Sequence, residues 1–300
     1  AARLAKADLR TLMVGEFPEL QGLMGRLYAL HDGEADDVAY AIEQHYWPRF
    51  AGDALPTGPV ATCVALADKL ETLVGLYSAG ERPTGDKDPY ALRRHALGIL
   101  RMLLLHPDAP ELRTLITQAE HVLGPVSTRL TSEVEAFFYE RLRGLLRDDG
   151  YTAHEVEAVL ALRPQHLARL PHQLAAVRDF MALPESESLA AANKRIGNIL
   201  KKATSVPAAF DEKLLVEPAE KELAQVTARV AREADPLYAR GDYTGMLRAL
   251  APLKTPVDHF FDTVMVNAED ARLRDNRLAL LAQMHTLMNR VADISMLVAG

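Results

Sequence analysis

Residues 257–297, VDHFFDTVMVNAEDARLRDNRLALLAQMHTLMNRVADISML, constrain the fold more than any other stretch of the chain. From Leu273 onward, Leu280, Leu281, Met284, Leu287, Met288, Val291 and Ile294 recur three and four apart, the spacing of one long helix with a continuous apolar stripe. The rest of the chain is expected to pack around it. Arg277 falls inside that stripe, so its stem must run along the core while its guanidinium is paired or delivered to something outside. An arginine so placed is a structural ion pair or a ligand contact. The ion pair is the commoner case, and the carboxylates of Asp270 and Asp275 are near enough in sequence to serve.

What covers such a helix is read from composition. Apolar residues make up 49% of the chain and aromatic ones only 6%, with Leu, Ala, Glu and Arg plentiful and β-branched runs scarce, which is the composition of an all-α protein. At 300 residues two or more domains are expected. The single cysteine, Cys63, excludes an intramolecular disulfide framework and suits a reducing compartment. No charged-then-apolar leader opens the sequence and no apolar run approaches membrane length, so a cytoplasmic protein with no membrane partner is expected. The chain starts Ala-Ala without an initiator Met, as a fragment of something longer would. A net charge of −7 argues against a general nucleic-acid coat protein. It leaves room for a local basic face, because screening confines each surface charge to about 8 to 10 Å.

In chain order, helices are expected over 1–14, 19–29, 36–46 and 61–77, with breaks at Phe17-Pro18, Trp47-Pro48 and the turn-rich loop 52–59. Asp68 sits in an apolar helix and needs a partner. Asp88 reads as an N-cap with Pro89 at the first helical position, opening YALRRHALGILRMLLL. Further helices are expected over 111–123, 132–147, 153–162 and 164–181. After Pro184, the segment ESESLAAANKRIGNILKKATS places Ala192, Ile196, Ile199 and Ala203 on one side and Lys194, Arg195, Asn198, Lys201 and Lys202 on the other. This is the densest basic surface in an acidic chain. By itself it reads first as a solvated helix face.

Adjacent His31 and Asp32, with Asp68 on a later helix, resemble the HD phosphohydrolase pattern, in which an earlier His, a His-Asp pair and a distal Asp hold a divalent metal. No His precedes His31, though His45 is available as a substitute ligand. The stretch PTGDKDP is not a phosphate loop, no GxSxG elbow is present, and the remaining histidines share no spacing.

Taken together, several long blocks resemble the beta subunit of bacterial heterotetrameric glycyl-tRNA synthetases. They are GEFPELQGLMGRLYALHDGE (15–34), AIEQHYWPRFAGDALP (41–56), ALADKLETLVGLY (65–77), PTGDKDPYALRRHALGILR (83–101) and AANKRIGNILKK (191–202). Ungapped blocks in the right order are far more specific than a short motif. The resemblance implies the C-terminal half of that subunit: an HD-like helical domain over 1–150, linker helices over 151–184, and a DALR-type anticodon-binding helical bundle over 185–300. It implies tRNA(Gly) as partner, together with the alpha subunit of an alpha2beta2 assembly. Glycine activation with ATP and Mg would belong to that alpha subunit, leaving this part of the ligase without catalytic residues or a cofactor of its own.

On that reading Lys194, Arg195, Lys201 and Lys202 become candidate phosphate contacts. Asn198, Arg274, Asn276, Arg277 and Arg290 become candidates for orienting or reading anticodon bases, since unpaired bases are recognised by stacking and edge hydrogen bonds. Arg290 is expected on the exposed side of the long helix. In the front domain Lys87, Arg93 and Arg94 are the candidates for the acceptor end. The competing reading is a metal-dependent phosphohydrolase built on His31, Asp32 and Asp68. A third makes the front domain only a scaffold for docking the alpha subunit.

Overall fold

The computed structural model describes residues 1–124 and 129–297. Among these every regular element is helical, and the only bridge of β type joins Thr84 to Lys87. Two units are distinguished, Ala1–Leu145 with Gln165–Ala168, and Leu146–Pro164 with Arg169–Gly300.

The first unit contains α1 (Leu12–Glu16), α2 (Leu23–His31), α3 (Asp36–Gln44), α4 (Pro59–Ser78), α5 (Leu92–Leu105), α6 (Leu112–Leu123) and most of α7 (Leu130–Asp148). Its central element is α4, which packs against α3, α5 and α6. Pro59 opens α4, where the missing N–H costs nothing, and Ala61, Ala65, Leu66, Leu70, Leu73, Val74 and Tyr77 line its buried side. Each fully buried leucine of this kind contributes about 1.5 to 3 kcal/mol. Helix α3 packs closely on α2 because Gly25 has no side chain: a Cβ there would lie 2.6 Å from Ile42 Cγ2.

The first thirty residues are more broken than their sequence pattern suggests. Instead of one helix over 1–14, a 3₁₀ turn at Ala7–Arg10 precedes α1. The break falls at Thr11, whose hydroxyl accepts from the Val14 amide at 3.3 Å, and at buried Asp8, whose carboxylate accepts from the Gly22 amide at 2.6 Å. Helix α5 starts at Leu92, three residues after Pro89. Asp88 still caps it from a distance, accepting from the amides of Leu92 at 2.8 Å and Arg93 at 2.9 Å, with Ala91 between them in the left-handed region at φ 54°.

The second unit contains α8 (Ala153–Leu160), α9 (Leu170–Met181), α10 (Ser186–Lys202), α11 (Pro218–Ala239), α12 (Tyr243–Arg248), α13 (Lys254–Thr263) and α14 (Ala271–Met288). Of residues 151–184, expected as linker helices, all but Gln165–Ala168 lie within this unit: α9 packs on α12, and α8 on the 3₁₀ turn Ile294–Leu297. The long helix expected from Leu273 to Ile294 is α14, which ends at Met288, and α13 is a separate helix before it. Asp270 caps α14 by accepting from the Arg272 amide at 2.8 Å. Asn289 ends it, its side chain donating to the His285 carbonyl at 2.9 Å and accepting from the Ile294 amide at 3.2 Å. Helix α14 is nonetheless the centre of the unit, packed by α10 and α11 and buried continuously from Asn276 to Leu281. Six consecutive buried residues describe a helix covered all round, not one with a single stripe.

Candidate nucleic-acid interface

The apolar side of α10, Leu189, Ala190, Ala192 and Ile196, is buried against α14 and α13 and fixes the roll of the helix. Asn193, fully buried on the same side, exchanges two hydrogen bonds with Asn289, donating at 2.8 Å and accepting at 3.1 Å, and so fixes its register against the end of α14. The opposite side therefore has one available orientation. It presents Lys194, Arg195, Asn198 and Lys202 to a cleft of about 790 Å³, closed on its other walls by Arg274, Asp275 and Leu278 of α14, Asn267 of the preceding loop, and Thr204 and Ser205. Four cations face one carboxylate there, and that carboxylate, Asp275, lies 3.8 Å from the Arg274 Nε.

Arg195 stacks its guanidinium on the Phe261 ring at 4.0 Å. One face of the guanidinium is thereby held by the protein, and the other face of such a group can stack on a planar ring. A second cleft of about 530 Å³ shares Arg195, Ile199 and Asn267 with the first and is walled by Phe261 and the end of α13 and by the loop residues 264–266.

Three residues expected at this surface are committed elsewhere. Arg277 is buried, with its side chain 7% exposed: its Nε donates to Glu220 at 2.5 Å and its Nη1 to the Met265 carbonyl at 2.8 Å. It is an ion pair, as an arginine in an apolar helix should be, but with Glu220 of α11 and not with Asp270 or Asp275. The second oxygen of Glu220 accepts from the Glu217 amide at 2.7 Å, so the buried pair of Glu220 and Arg277 ties the start of α11, the core of α14 and the loop at Met265. Asn276 is buried and exchanges hydrogen bonds with the Asp211 backbone at 2.6 and 3.1 Å. Arg290 lies beyond the end of α14, paired with Asp235 and stacked over Tyr238 at 4.5 Å, not on an open helix face. Lys201 is exposed in the last turn of α10 but does not line the cleft, and a cation there also suits the helix C-terminus. Sequence reasoning missed Asn267, Thr204, Ser205 and Phe261, which come from loops and a different helix and carry no charge pattern.

In the first unit Lys87 is exposed at a tight turn, exchanging backbone hydrogen bonds with Thr84 at 2.8 and 3.0 Å, and Arg93 donates to the Gly85 carbonyl, holding that turn to α5. Arg94 alone of the three faces a cleft, of about 360 Å³, together with Lys69, His95, Tyr46 and Arg49.

The residues expected for a phosphohydrolase do not assemble. His31 is exposed at the end of α2, and Asp32 lines one cleft while Asp68 lines another, ion-paired to Lys6 at 3.0 Å. His45 is fully buried with its Nδ1 donating to the Ile42 carbonyl at 2.8 Å, and burial lowers its pKa. Among the described residues no group of three His, Cys, Asp or Glu side chains is placed to hold a metal.

Two family models match the sequence. One described as glycyl-tRNA synthetase beta subunit covers residues 1–161, and one described as DALR anticodon binding domain covers residues 189–294, the segment that builds the 790 Å³ cleft. Similar proteins include the glycine-tRNA ligase beta subunits of Methylobacillus flagellatus, 60% identical over 302 residues, and of a Janthinobacterium species, 61% identical over 300 residues. That of Thiobacillus denitrificans is 60% identical over 305 residues. Each alignment covers 100% of this chain and 43% of the relative, so the chain spans less than half the length of these proteins.

Proposed function

This chain belongs to the glycyl-tRNA synthetase beta subunit family, and from that premise we propose that it is the tRNA-recognition portion of a glycine-tRNA ligase. The second unit grips the anticodon loop of tRNA(Gly). The alpha subunit, joined in an alpha2beta2 assembly in the cytoplasm, attaches glycine using ATP and Mg. The observation that carries this reading is the convergence of Lys194, Arg195, Lys202 and Arg274, with Asn198 and Asn267, on one cleft inside the segment that matches an anticodon-binding model.

The chemistry of that cleft suits an unpaired RNA loop. Lysines meet phosphates as point charges, while Arg195, already stacked on Phe261, and the amides of Asn198 and Asn267 offer a stacking face and base-edge hydrogen bonds. No step of bond making is assigned to these residues; their contribution is position. On this reading the first unit adds contacts nearer the acceptor end through Arg94 and Lys87.

Filter binding of tRNA(Gly) and of a tRNA with a different anticodon loop to the 300-residue chain tests the proposal. Preference for tRNA(Gly), with affinity lowered about tenfold or more by Arg195→Gln together with Arg274→Gln, is the expected result, since each loses at least one charge-assisted contact. Equal binding of the two RNAs, unchanged by the substitutions, would overturn it.

A further inference from the structure

The 360 Å³ cleft of the first unit contains a lysine that the fold alone does not explain. Lys69 sits on α4 amid Leu66, Leu70 and Leu73, and is 3% exposed. Its ammonium donates to two backbone carbonyls, His45 at 3.1 Å and Tyr46 at 3.3 Å, and no carboxylate is paired with it among the described residues. A lysine ammonium has three protons, so one remains beyond these two carbonyls. Room for the stem comes from Gly98 of α5, where a Cβ would lie 3.2 Å from Lys69 Cε and 3.2 Å from the Pro48 ring. Burying a charge without a directly paired carboxylate is costly, and burial draws the Lys69 pKa down to about 8 against the opposing charge of Asp68.

The surroundings of Lys69 in the cleft are complementary to an anion. Arg94 is exposed at the rim and has no ion pair among the described residues. His95 lies beside them and is held neutral, its pKa drawn down to about 4 first by burial and then by the Lys69 charge, so its ring can still donate one N–H. Of the two carboxylates of the lining, Asp68 is ion-paired to Lys6 at 3.0 Å and its charge also favours the protonated Lys69 without contacting it, and Glu19 is exposed at the edge. Arg49 is occupied by Asp53 at 3.3 Å.

We infer that this cleft is a seat for a terminal phosphate group, a phosphate monoester held by Lys69 on the floor and Arg94 at the rim. A terminal group is required by depth. A phosphodiester carries a sugar on each side, and only a phosphate with a free end reaches an ammonium that is 3% exposed. Two sources share that chemistry, the 5′-phosphate of an RNA and a free mononucleotide or inorganic phosphate. The inference stands on the first unit and does not depend on the cleft of the second.

The test uses the 300-residue chain with inorganic phosphate and adenosine 5′-monophosphate in calorimetric titrations, and with tRNA(Gly) bearing a 5′-phosphate or a 5′-hydroxyl in filter binding. Arg94→Gln is the principal variant, because an exposed residue without an ion pair is replaced without loss of fold. Lys69→Met is the second. Binding of the small phosphates that falls about tenfold or more in Arg94→Gln supports the seat, the loss of one charge-assisted hydrogen bond being of that size. If the 5′-phosphorylated tRNA also binds more tightly than the 5′-hydroxyl form, and Arg94→Gln erases the difference, the source is an RNA end. If the two RNAs bind alike while the small phosphates keep their dependence on Arg94, the source is a free phosphate monoester. The inference is overturned if no probe distinguishes wild type from Arg94→Gln. That outcome would leave anticodon-loop recognition by Arg195 and Arg274 untouched.

Discussion

Arg277 and Glu220 illustrate how a buried pair outside the cleft lining anchors a loop beside it. Both side chains are almost fully buried, and the guanidinium also holds the Met265 carbonyl, so the loop wall carrying Asn267 is anchored through this pair. Arg277→Met strands a buried carboxylate and is expected to destabilise the chain by about 3 to 5 kcal/mol. Pairing it with Glu220→Leu should restore most of that loss in urea unfolding, because two apolar groups of similar volume replace two buried charges. A double variant as unstable as the single one would show that packing, not charge, is at stake. Arg195→Gln makes the contrast: it is exposed, so its stability is expected to stay within about 0.5 kcal/mol while RNA affinity falls. The sequence showed that Arg277 sits in an apolar helix and therefore needs a partner. It could not show which, because Glu220 is 57 positions away and only Asp270 and Asp275 lie within local reach.

Helix α5 shows the same division one level up. That a helix follows Asp88 was legible from the Asp-Pro pair and the apolar spacing of Leu92, Ala96, Leu100 and Leu103. The offset of its start was not, because it depends on Ala91 adopting a left-handed backbone that no alanine prefers. Two opposite outcomes are expected in thermal or urea unfolding. Asp88→Ala removes the acceptor for two helix amides and should cost about 1 kcal/mol. Ala91→Gly relieves the positive φ and should gain about 0.5 to 1 kcal/mol, the entropic cost of glycine setting the limit. If Ala91→Gly destabilises, the start of α5 is held by something other than backbone conformation. Helix α10 was read more fully, since its basic residues and apolar residues alternate at helical spacing within a single element. The walls facing it come from Asn267, Thr204 and Phe261, in three other segments, and nothing in local spacing joins them.

At the scale of the whole chain two electrostatic expectations follow. His95 is neutral in the fold with a pKa drawn from 6.5 to about 4, and burial lowers His45 and His285 in the same direction. Between those values the unfolded chain holds more protons than the folded one, so stability rises with pH from about 4 to 6.5 and is lost as pH falls. His95→Gln should shallow that dependence without abolishing it, as followed by urea unfolding across this range. An unchanged slope would mean that His95 titrates alike in both states. The other expectation concerns salt. A net charge of −7 repels RNA at long range, yet screening within about 8 to 10 Å lets the cleft act locally. Each lysine that neutralises a phosphate of a single strand adds roughly 0.7 to the slope of log affinity against log salt. Lys194→Ala and Lys202→Ala should therefore each flatten the slope for tRNA by about 0.7, whereas Lys201→Ala, one position along the chain but outside the cleft lining, should flatten it by clearly less. Equal effects of Lys201→Ala and Lys202→Ala would mean that RNA responds to the charge of the whole helix end, and the cleft would lose its claim to be the contact surface.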